Sequence, residues 1–185
     1  KLPLIIKPLR LGSSIGLGIA KESNELEYAL DVGFEYDSEL LVESYIENIK
    51  EYNLAGYKGE EFRYSTIEEP TKDGHLDFEK KYLDFGRSEK PKEAELDENL
   101  KESMREIFRK IYENCFEGSI IRCDFFVHQN KVYLNEINPV PGSLANYLFP
   151  DIQSCIAELS KYLPNEKRID VQYLYINQIN SSKGK

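Results

Sequence analysis

Residues 120–127 and 132–137 form the strongest strand pair in the chain, and the short turn His128-Gln129-Asn130-Lys131 joins them into a hairpin. What that hairpin brings together could hold a cation. Residues that face each other across an antiparallel pair share one face of the sheet. An odd turn, Gln129-Asn130-Lys131, therefore places Asp124 directly opposite Glu136, with Arg122 and Asn138 on the same face. Ile121, Cys123, Phe125 and Val127 then supply the apolar face. An even turn separates the two carboxylates. At about 4 Å they repel by roughly 4 kcal/mol at an effective dielectric near 20, so the odd register calls for a cation between them. The oxygens of Asp, Glu and Asn suit Mg²⁺ that also bridges phosphate oxygens. The plain alternative is a pair of surface carboxylates on opposite faces, each matched by a nearby Lys or Arg.

A second group lies near the start: Lys7-Pro8-Leu9-Arg10-Leu11-Gly12-Ser13-Ser14-Ile15-Gly16-Leu17-Gly18. Its glycines let backbone N–H groups turn toward an anion, and the serine hydroxyls add donors. It is neither a P-loop nor a dinucleotide fingerprint, since GK[ST] is absent and Lys21 stands where the last small residue would fall. Either it cradles phosphate, with Lys7 reaching over the turn, or it is a ligand-free Gly-rich hairpin. Glu43 and Glu51 are either acceptors for an adenine amino group or ribose hydroxyls, or strand-end carboxylates of the kind found on any surface. Lys81 and Tyr82 pair a cation with a phenol on a segment that could close over a reacting centre, or simply lie exposed.

These residues need a scaffold, and the pattern is that of an α+β protein. Strand-like segments at 4–7 and about 16–20 flank the Gly/Ser loop. A helix begins near Ser23, a fair N-cap, and carries Leu26, Ala29, Leu30 and Phe34 at helical spacing, with Gly33 where a left-handed cap would fall. A mostly buried strand is expected at 39–46 around Glu43, and two more at 51–56 and 62–67, joined by a turn at Lys58-Gly59. Residues 68–98 are charged, hold Pro70, Gly74, Gly86 and Pro91, and lack periodicity, which marks a long loop. An amphipathic helix from 97 to about 115 sets Leu100, Met104, Ile107, Phe108 and Ile111 on one stripe. Residues 152–163 form a short last helix, and residues 181–185 read as a disordered tail.

Composition narrows the partners. Lys and Arg total 24 against 33 Asp and Glu, a net charge of −9, which argues against nucleic acid because a phosphate backbone is held by clustered cations. No apolar run approaches the roughly 20 residues that cross a bilayer, and no signal-like segment opens the chain. It reads as soluble and cytoplasmic. Cys115, Cys123 and Cys155 are odd in number and far apart, as reduced core thiols are, and with only His75 and His128 beside them they argue against zinc. The chain opens at Lys1, without Met, inside the apolar run Leu2-Pro3-Leu4-Ile5-Ile6. It therefore reads as a piece truncated at the N-terminus.

The order of the motifs is recognisable. Lys7-Pro8 and Gly12-Ser13-Ser14-Ile15-Gly16, then Leu41-Val42-Glu43, Glu79-Lys80-Lys81-Tyr82, Arg122-Cys123-Asp124 and Asn135-Glu136-Ile137-Asn138-Pro139-Val140-Pro141-Gly142, resemble the ATP-grasp part of bacterial D-alanine:D-alanine ligases over about residues 4–150. The resemblance implies an ATP-grasp fold of mostly antiparallel sheets with packed helices. It implies part of the central subdomain at 1–50, and the catalytic subdomain at 51–180 with a lid loop at 68–98. It also implies ligation of two D-alanines with ATP through an acyl-phosphate, to supply a dipeptide for peptidoglycan. Lys7 would contact ATP phosphates and Ser13-Ser14 would belong to the lid over them. Glu43 and Ile46 would line the adenine site, with Glu51 on the ribose. Asp124, Glu136 and Asn138 would hold two Mg²⁺ ions, sites that Mn²⁺ also fits. Arg122 and the backbone at Gly142 would stabilise the tetrahedral centre. Lys81 and Tyr82 would sit on the closing loop, with Tyr82 hydrogen-bonded to Ser13.

The chain also departs from the family. Ser44 stands where many members carry Lys or Arg, and one extra residue separates Glu43 from Glu51. Ser143-Leu144-Ala145-Asn146-Tyr147 replaces the usual Met-Thr and the Ser that binds the acceptor carboxylate, leaving Ser143, Asn146 and Tyr147 as substitutes. That segment keeps open a ligase with another acceptor, such as D-lactate or another amino acid. A nucleotide-binding module without turnover is the rival from outside the enzymes. Family members are commonly homodimers. The domain for the first D-alanine is expected to lie outside this chain, so the fragment alone is expected to be inactive.

Overall fold

The structure is a computed structural model of the chain and describes residues 1–12, 14–47, 49–70 and 92–163. Two antiparallel sheets organise it. The first has the order β2-β1-β3, built from β1 (Leu4–Pro8), β2 (Gly18–Ala20) and β3 (Leu40–Ser44), with helix α1 (Ser23–Phe34) between β2 and β3 in the chain. α1 packs against one face, where Ile6, Ala20 and Ala29 are buried together. The cap of α1 is Glu22, one residue before the expected Ser23, because the Glu25 carboxylate turns back to accept from the backbone N–H groups of Lys21 and Glu22 at 2.7 and 3.0 Å. Gly33 is not a left-handed cap. It lies inside the helix, where a Cβ would come within 2.9 Å of Leu40, so its smallness serves close packing of α1 on β3. β3 itself is less buried than expected, with Leu41 and Val42 43% and 47% exposed. Among the described residues it pairs only with β1, as an edge strand.

The second sheet has the order β5-β4-β6-β7, from β4 (Lys50–Lys58), β5 (Phe62–Tyr64), β6 (Ile121–His128) and β7 (Lys131–Asn138). Helix α2 (Glu98–Cys115) matches the amphipathic run expected from 97 to about 115, and the Asp97 side chain caps it by accepting from the N–H of Asn99. Its buried stripe is Met104, Phe108 and Tyr112, packed on Tyr52, Leu54, Ile121, Cys123 and Phe125. The stripe is shifted from the expected one because Tyr112 sits deep, its hydroxyl donating to the Ser119 carbonyl at 2.8 Å, while Leu100, Ile107 and Ile111 stay half-buried. A tight turn segment (Gly142–Leu148) and helix α3 (Ile152–Leu159) close the described chain. α3 is shorter than the 152–163 expected, and it is capped by Asp151, whose carboxylate accepts from the N–H groups of Gln153 and Ser154. This C-terminal segment covers part of the opposite face of the sheet, burying Ala145, Leu148, Phe149 and Leu159 with Ala55 and Tyr57.

The hairpin β6–β7 reaches the expected register by an unexpected route. Asp124 does stand opposite Glu136, and Arg122 opposite Asn138. The turn, however, is even: His128 pairs with Lys131 across Gln129-Asn130, both left-handed at φ +49° and +57°, which matches the right-handed twist of a two-residue hairpin. Parity is restored by a β-bulge. Phe125 pairs with Leu134 but Asp124 pairs with Glu136, so Asn135 is the extra residue. Without it, Asn135 would meet Asp124 and Glu136 would enter the apolar layer beside Cys123.

All three cysteines are free, but only Cys123 is a core thiol; Cys115 is exposed and Cys155 half-buried. Burial, with a lesser push from Asp124, raises the Cys123 thiol to about 12. Among the described residues no helix is long and apolar enough to cross a membrane. The tail at 181–185 and residues 71–91 of the long loop lie outside the described residues. The bulge makes a prediction. Deleting Asn135 removes the extra residue and keeps Glu136 opposite Asp124, so stability should change by less than about 1 kcal/mol. Deleting Ile137 instead moves Asn138 onto the buried face and should cost at least about 3 kcal/mol, both read by urea unfolding.

Candidate active site

The candidate residues within the described part of the chain fall into two groups, one on each sheet. On the first, Lys7 and Glu43 share the face turned away from Ile6, together with Ile5 and Leu41. The Lys7 ammonium donates to Glu43 Oε2 at 2.8 Å, with both side chains partly exposed. Such an exposed pair contributes only about 0.2–1 kcal/mol, so its ammonium can change partners at small cost. Ser14 is exposed on the Gly/Ser loop with φ +60°, and Ile46, 37% exposed, follows β3. Ser13, Lys81 and Tyr82 lie outside the described residues.

On the second sheet, strand pairing sets a row of polar residues across one face. Glu68 bridges to Asn53, Asn53 pairs with Asp124, and Asp124 pairs with Glu136. Glu51, two residues before Asn53 on β4, shares this face and is exposed. The Arg122 guanidinium grips Asp124 with two parallel bonds, Nε to Oδ1 at 2.7 Å and Nη2 to Oδ2 at 2.8 Å. Its remaining Nη1 points to the Tyr147 hydroxyl at 3.5 Å. The Asn138 amide donates to Asp124 Oδ2 at 3.1 Å and to Glu136 Oε1 at 3.2 Å, tying the two carboxylates together. Burial pushes the Asp124 carboxyl up and Glu136 adds to this, and the Arg122 charge offsets only part of it. Burial also works against the Arg122 charge, but its bonds to Asp124 outweigh that and keep the guanidinium protonated.

The turn after β7 is unusual. Ser143, Leu144 and Ala145 all adopt left-handed conformations with φ of 51–52°, a geometry that costs a non-glycine residue roughly 1–2 kcal/mol. Strain of this kind collects at functional sites. The turn begins at the exposed Gly142 and ends by setting Tyr147 beside Arg122. Of the three substitutes for the acceptor side, Tyr147 is therefore the one that meets Arg122. Glu68 is not among the expected residues. It is a carboxylate only 7% exposed, held 3.4 Å from the Asn53 amide, and its charge acts on the Tyr147 phenol. The strand pattern ends at Ile67, one residue earlier, so the signal for Glu68 lies only in its pairing with Asn53.

No three His, Cys, Asp or Glu side chains converge to hold a metal among the described residues. The set at hand is the two carboxylates of Asp124 and Glu136, both hard oxygen ligands, with the Asn138 amide, whose oxygen would be a third. It fits a cation that keeps waters and shares phosphate oxygens, as Mg²⁺ does, better than one needing a closed protein cage.

Two antiparallel sheets with packed helices, one bearing Lys7 and Glu43 and the other Arg122, Asp124, Glu136 and Asn138, define an ATP-grasp fold. A family model described as "D-ala D-ala ligase C-terminus" matches residues 1–157, and the chain belongs to that family. The D-alanine–D-alanine ligase of a Nitratiruptor species is 58% identical over 181 residues, covering 98% of this chain and 53% of its own length. The crystal structure of the D-alanine–D-alanine ligase from Helicobacter pylori superposes with a TM-score of 0.74 at 46% identity, covering 90% of this chain and 48% of that one. The VanG D-Ala:D-Ser ligase from Enterococcus faecalis shares the fold at 24% identity, with a TM-score of 0.68 over 88% of this chain and 50% of that one. The chain thus spans about half the length of the relatives it matches.

The Arg122–Asp124 pair makes a pH prediction. A carboxyl whose folded pKa is raised gives its full contribution to stability below the unfolded value of about 3.9 and loses it as pH rises through the folded value. Arg122→Ala removes the one strong downward influence on Asp124. The loss of stability with rising pH should therefore be larger in the variant and extend to higher pH, measured as unfolding midpoints between about pH 4 and 8.

Proposed function

We propose that the intact protein carrying this chain joins two D-alanines in an ATP-dependent reaction, and that this chain supplies the nucleotide- and cation-handling half of the site. The observation that carries the reading is the single sheet face on which Arg122, Asp124, Glu136 and Asn138 stand in register. The names of the relatives support D-alanine as substrate. The reaction moves the terminal phosphoryl group of ATP to the carboxylate of the first D-alanine, giving ADP and an acyl-phosphate. The amine of the second D-alanine then attacks, loses a proton, and expels phosphate.

Each residue has work suited to its chemistry. Lys7 offers an ammonium to phosphate oxygens, while Ser14 adds a hydroxyl and a backbone donor. Glu43 accepts from the nucleotide's amino group at the adenine site that Ile46 helps to line, and Glu51 accepts from ribose hydroxyls. Asp124, Glu136 and Asn138 would hold two Mg²⁺ ions, or Mn²⁺ in their place. Bound there, the ions would neutralise phosphate charge, much of what phosphoryl transfer requires of an enzyme. Arg122, already fixed by Asp124, and the backbone N–H at Gly142 donate to the oxyanion of the tetrahedral centre. Ser13, Lys81 and Tyr82 complete the proposal as the lid that excludes water from the acyl-phosphate. The division into a central part at 1–50 and a catalytic part at 51–180 belongs to the same reading, as do a homodimeric assembly and a cytoplasmic setting.

A ligase with another acceptor is the second reading, favoured by the left-handed turn at 143–145 and by Tyr147 beside Arg122. One experiment separates the two. Phosphate release by the intact protein is followed with ATP, Mg²⁺ and either D-alanine alone or D-alanine with D-lactate or D-serine. Release with D-alanine alone that disappears in Glu136→Gln, and falls roughly 10²–10³-fold in Arg122→Ala, is the expected result. Release only when a second acceptor is added moves the assignment to the other ligase, and none with any acceptor points to a binding module.

A further inference from the structure

The Gly/Ser loop leaves β1 at Pro8 and rejoins the sheet at Gly18, and both of its ends are held by one element, the connection between α1 and β3. At the leaving end, the Leu9 N–H donates to the Glu39 carbonyl at 3.0 Å and the Arg10 N–H to Asp37 Oδ2 at 2.9 Å. The Arg10 guanidinium spans both acids of that connection, Asp37 and Glu39. At the returning end, Gly16 has φ +70°, and a Cβ there would lie 2.7 Å from the Tyr36 ring and 2.8 Å from Pro8. Between these grips the loop stands clear. Gly12 has no neighbour within 4 Å of where a Cβ would be, and Ser14 is exposed.

Asp37 is the centre of the grip. Its side chain is only 4% exposed, and its Oδ1 also accepts from the N–H of Glu39 at 3.2 Å. Burial pushes this carboxyl up, but the backbone N–H groups of Arg10 and Glu39, helped by the Arg10 guanidinium, hold it below the usual carboxylate range. It is thus a buried anion whose partners are the base of an exposed, donor-rich loop. No substrate-facing role accounts for it.

We propose that Asp37 is a positioning residue for nucleotide binding: by fixing the base of the Gly/Ser loop, it holds the exposed tip at Gly12 and Ser14 where it can meet the phosphates of a nucleoside triphosphate. This rests on the nucleotide reading given above. Asp37 touches no ligand itself; it removes conformational freedom that binding would otherwise have to remove. The adenine end of the nucleotide, assigned to Glu43 and Ile46, is not gripped by Asp37. The effect should therefore be confined to the phosphates.

The test is calorimetric titration of the intact protein with a non-hydrolysable ATP analogue plus Mg²⁺ and, separately, with adenosine. In Asp37→Asn the dissociation constant for the triphosphate should rise about tenfold while that for adenosine stays unchanged. KM for ATP should rise and KM for D-alanine should not. If Asp37→Asn does not fold, Arg10→Gln breaks the side-chain pair but keeps the Arg10 N–H bond to Asp37, and should give a smaller rise in the same direction. Unchanged triphosphate affinity in the folded variants, or parallel weakening of adenosine, overturns the positioning role. A wild type that binds neither compound overturns the nucleotide reading, and this inference with it.

Discussion

The arrangement of the site depends on the two-sidedness of β6. Successive side chains of a strand point to opposite faces, and Ile121, Cys123 and Phe125 are bound to the core under α2 by complete burial. Arg122 and Asp124 have no choice but to face the other way. β7 must then present Glu136 and Asn138 to that face while its own Ile137 packs inward, and a two-residue turn gives the wrong parity for this. The bulge at Asn135 resolves the conflict locally. The alternative would place a carboxylate in the apolar layer, a cost of several kcal/mol that exceeds that of one disrupted rung of the ladder.

Once that face exists, Arg122 organises it. Its planar fork satisfies both oxygens of Asp124, and its third nitrogen is left for Tyr147. A lysine could not do this, because a point charge on a flexible stem fixes neither the direction of the pair nor the remaining donor. The turn segment that delivers Tyr147 packs Ala145 and Leu148 against Ala55 and Tyr57. Hydrophobic burial behind the turn thus offsets the left-handed backbone strain in front of it, and one short turn connects the core to the site.

What is legible in the sequence, and what is not, follows from the range of each signal. The helix at 98–115 is legible because its apolar stripe is local, and the hairpin because two apolar-rich strands are joined by a short turn. The Asp124–Glu136 pairing follows from the sequence only through an odd turn that does not exist; the turn is even, and the bulge at Asn135 restores the parity. Glu68 is hidden because its partner Asn53 lies 15 residues away, and no local pattern records a single bridge. The exposure of β3 is hidden because composition shows that a strand is apolar but not how many neighbours it has. Asp37 looks like any loop acid, since its bonds reach back to Arg10 across the whole of α1.

Charge explains why the two groups of the site differ in character. The chain carries −9, yet the nucleotide reading gives it a polyanionic ligand. Screening over about 8 Å at physiological ionic strength confines that conflict, so attraction has to come from cations at the site itself. Lys7 and Arg122 already have carboxylate partners there, Glu43 and Asp124. The first pair is 31% and 44% exposed, so water can replace a lost partner and Lys7 is free to turn to phosphate. The second is 19% and 17% exposed, and breaking it would strand a carboxylate in poorly solvated surroundings. Arg122 therefore stays with Asp124, and in the proposed reaction only its remaining donors are open to a ligand. An adaptable cation suits a ligand that must enter and leave as ATP and ADP; a fixed one suits a charge that develops only at the transition state, where a donor that has to be reoriented adds to the barrier.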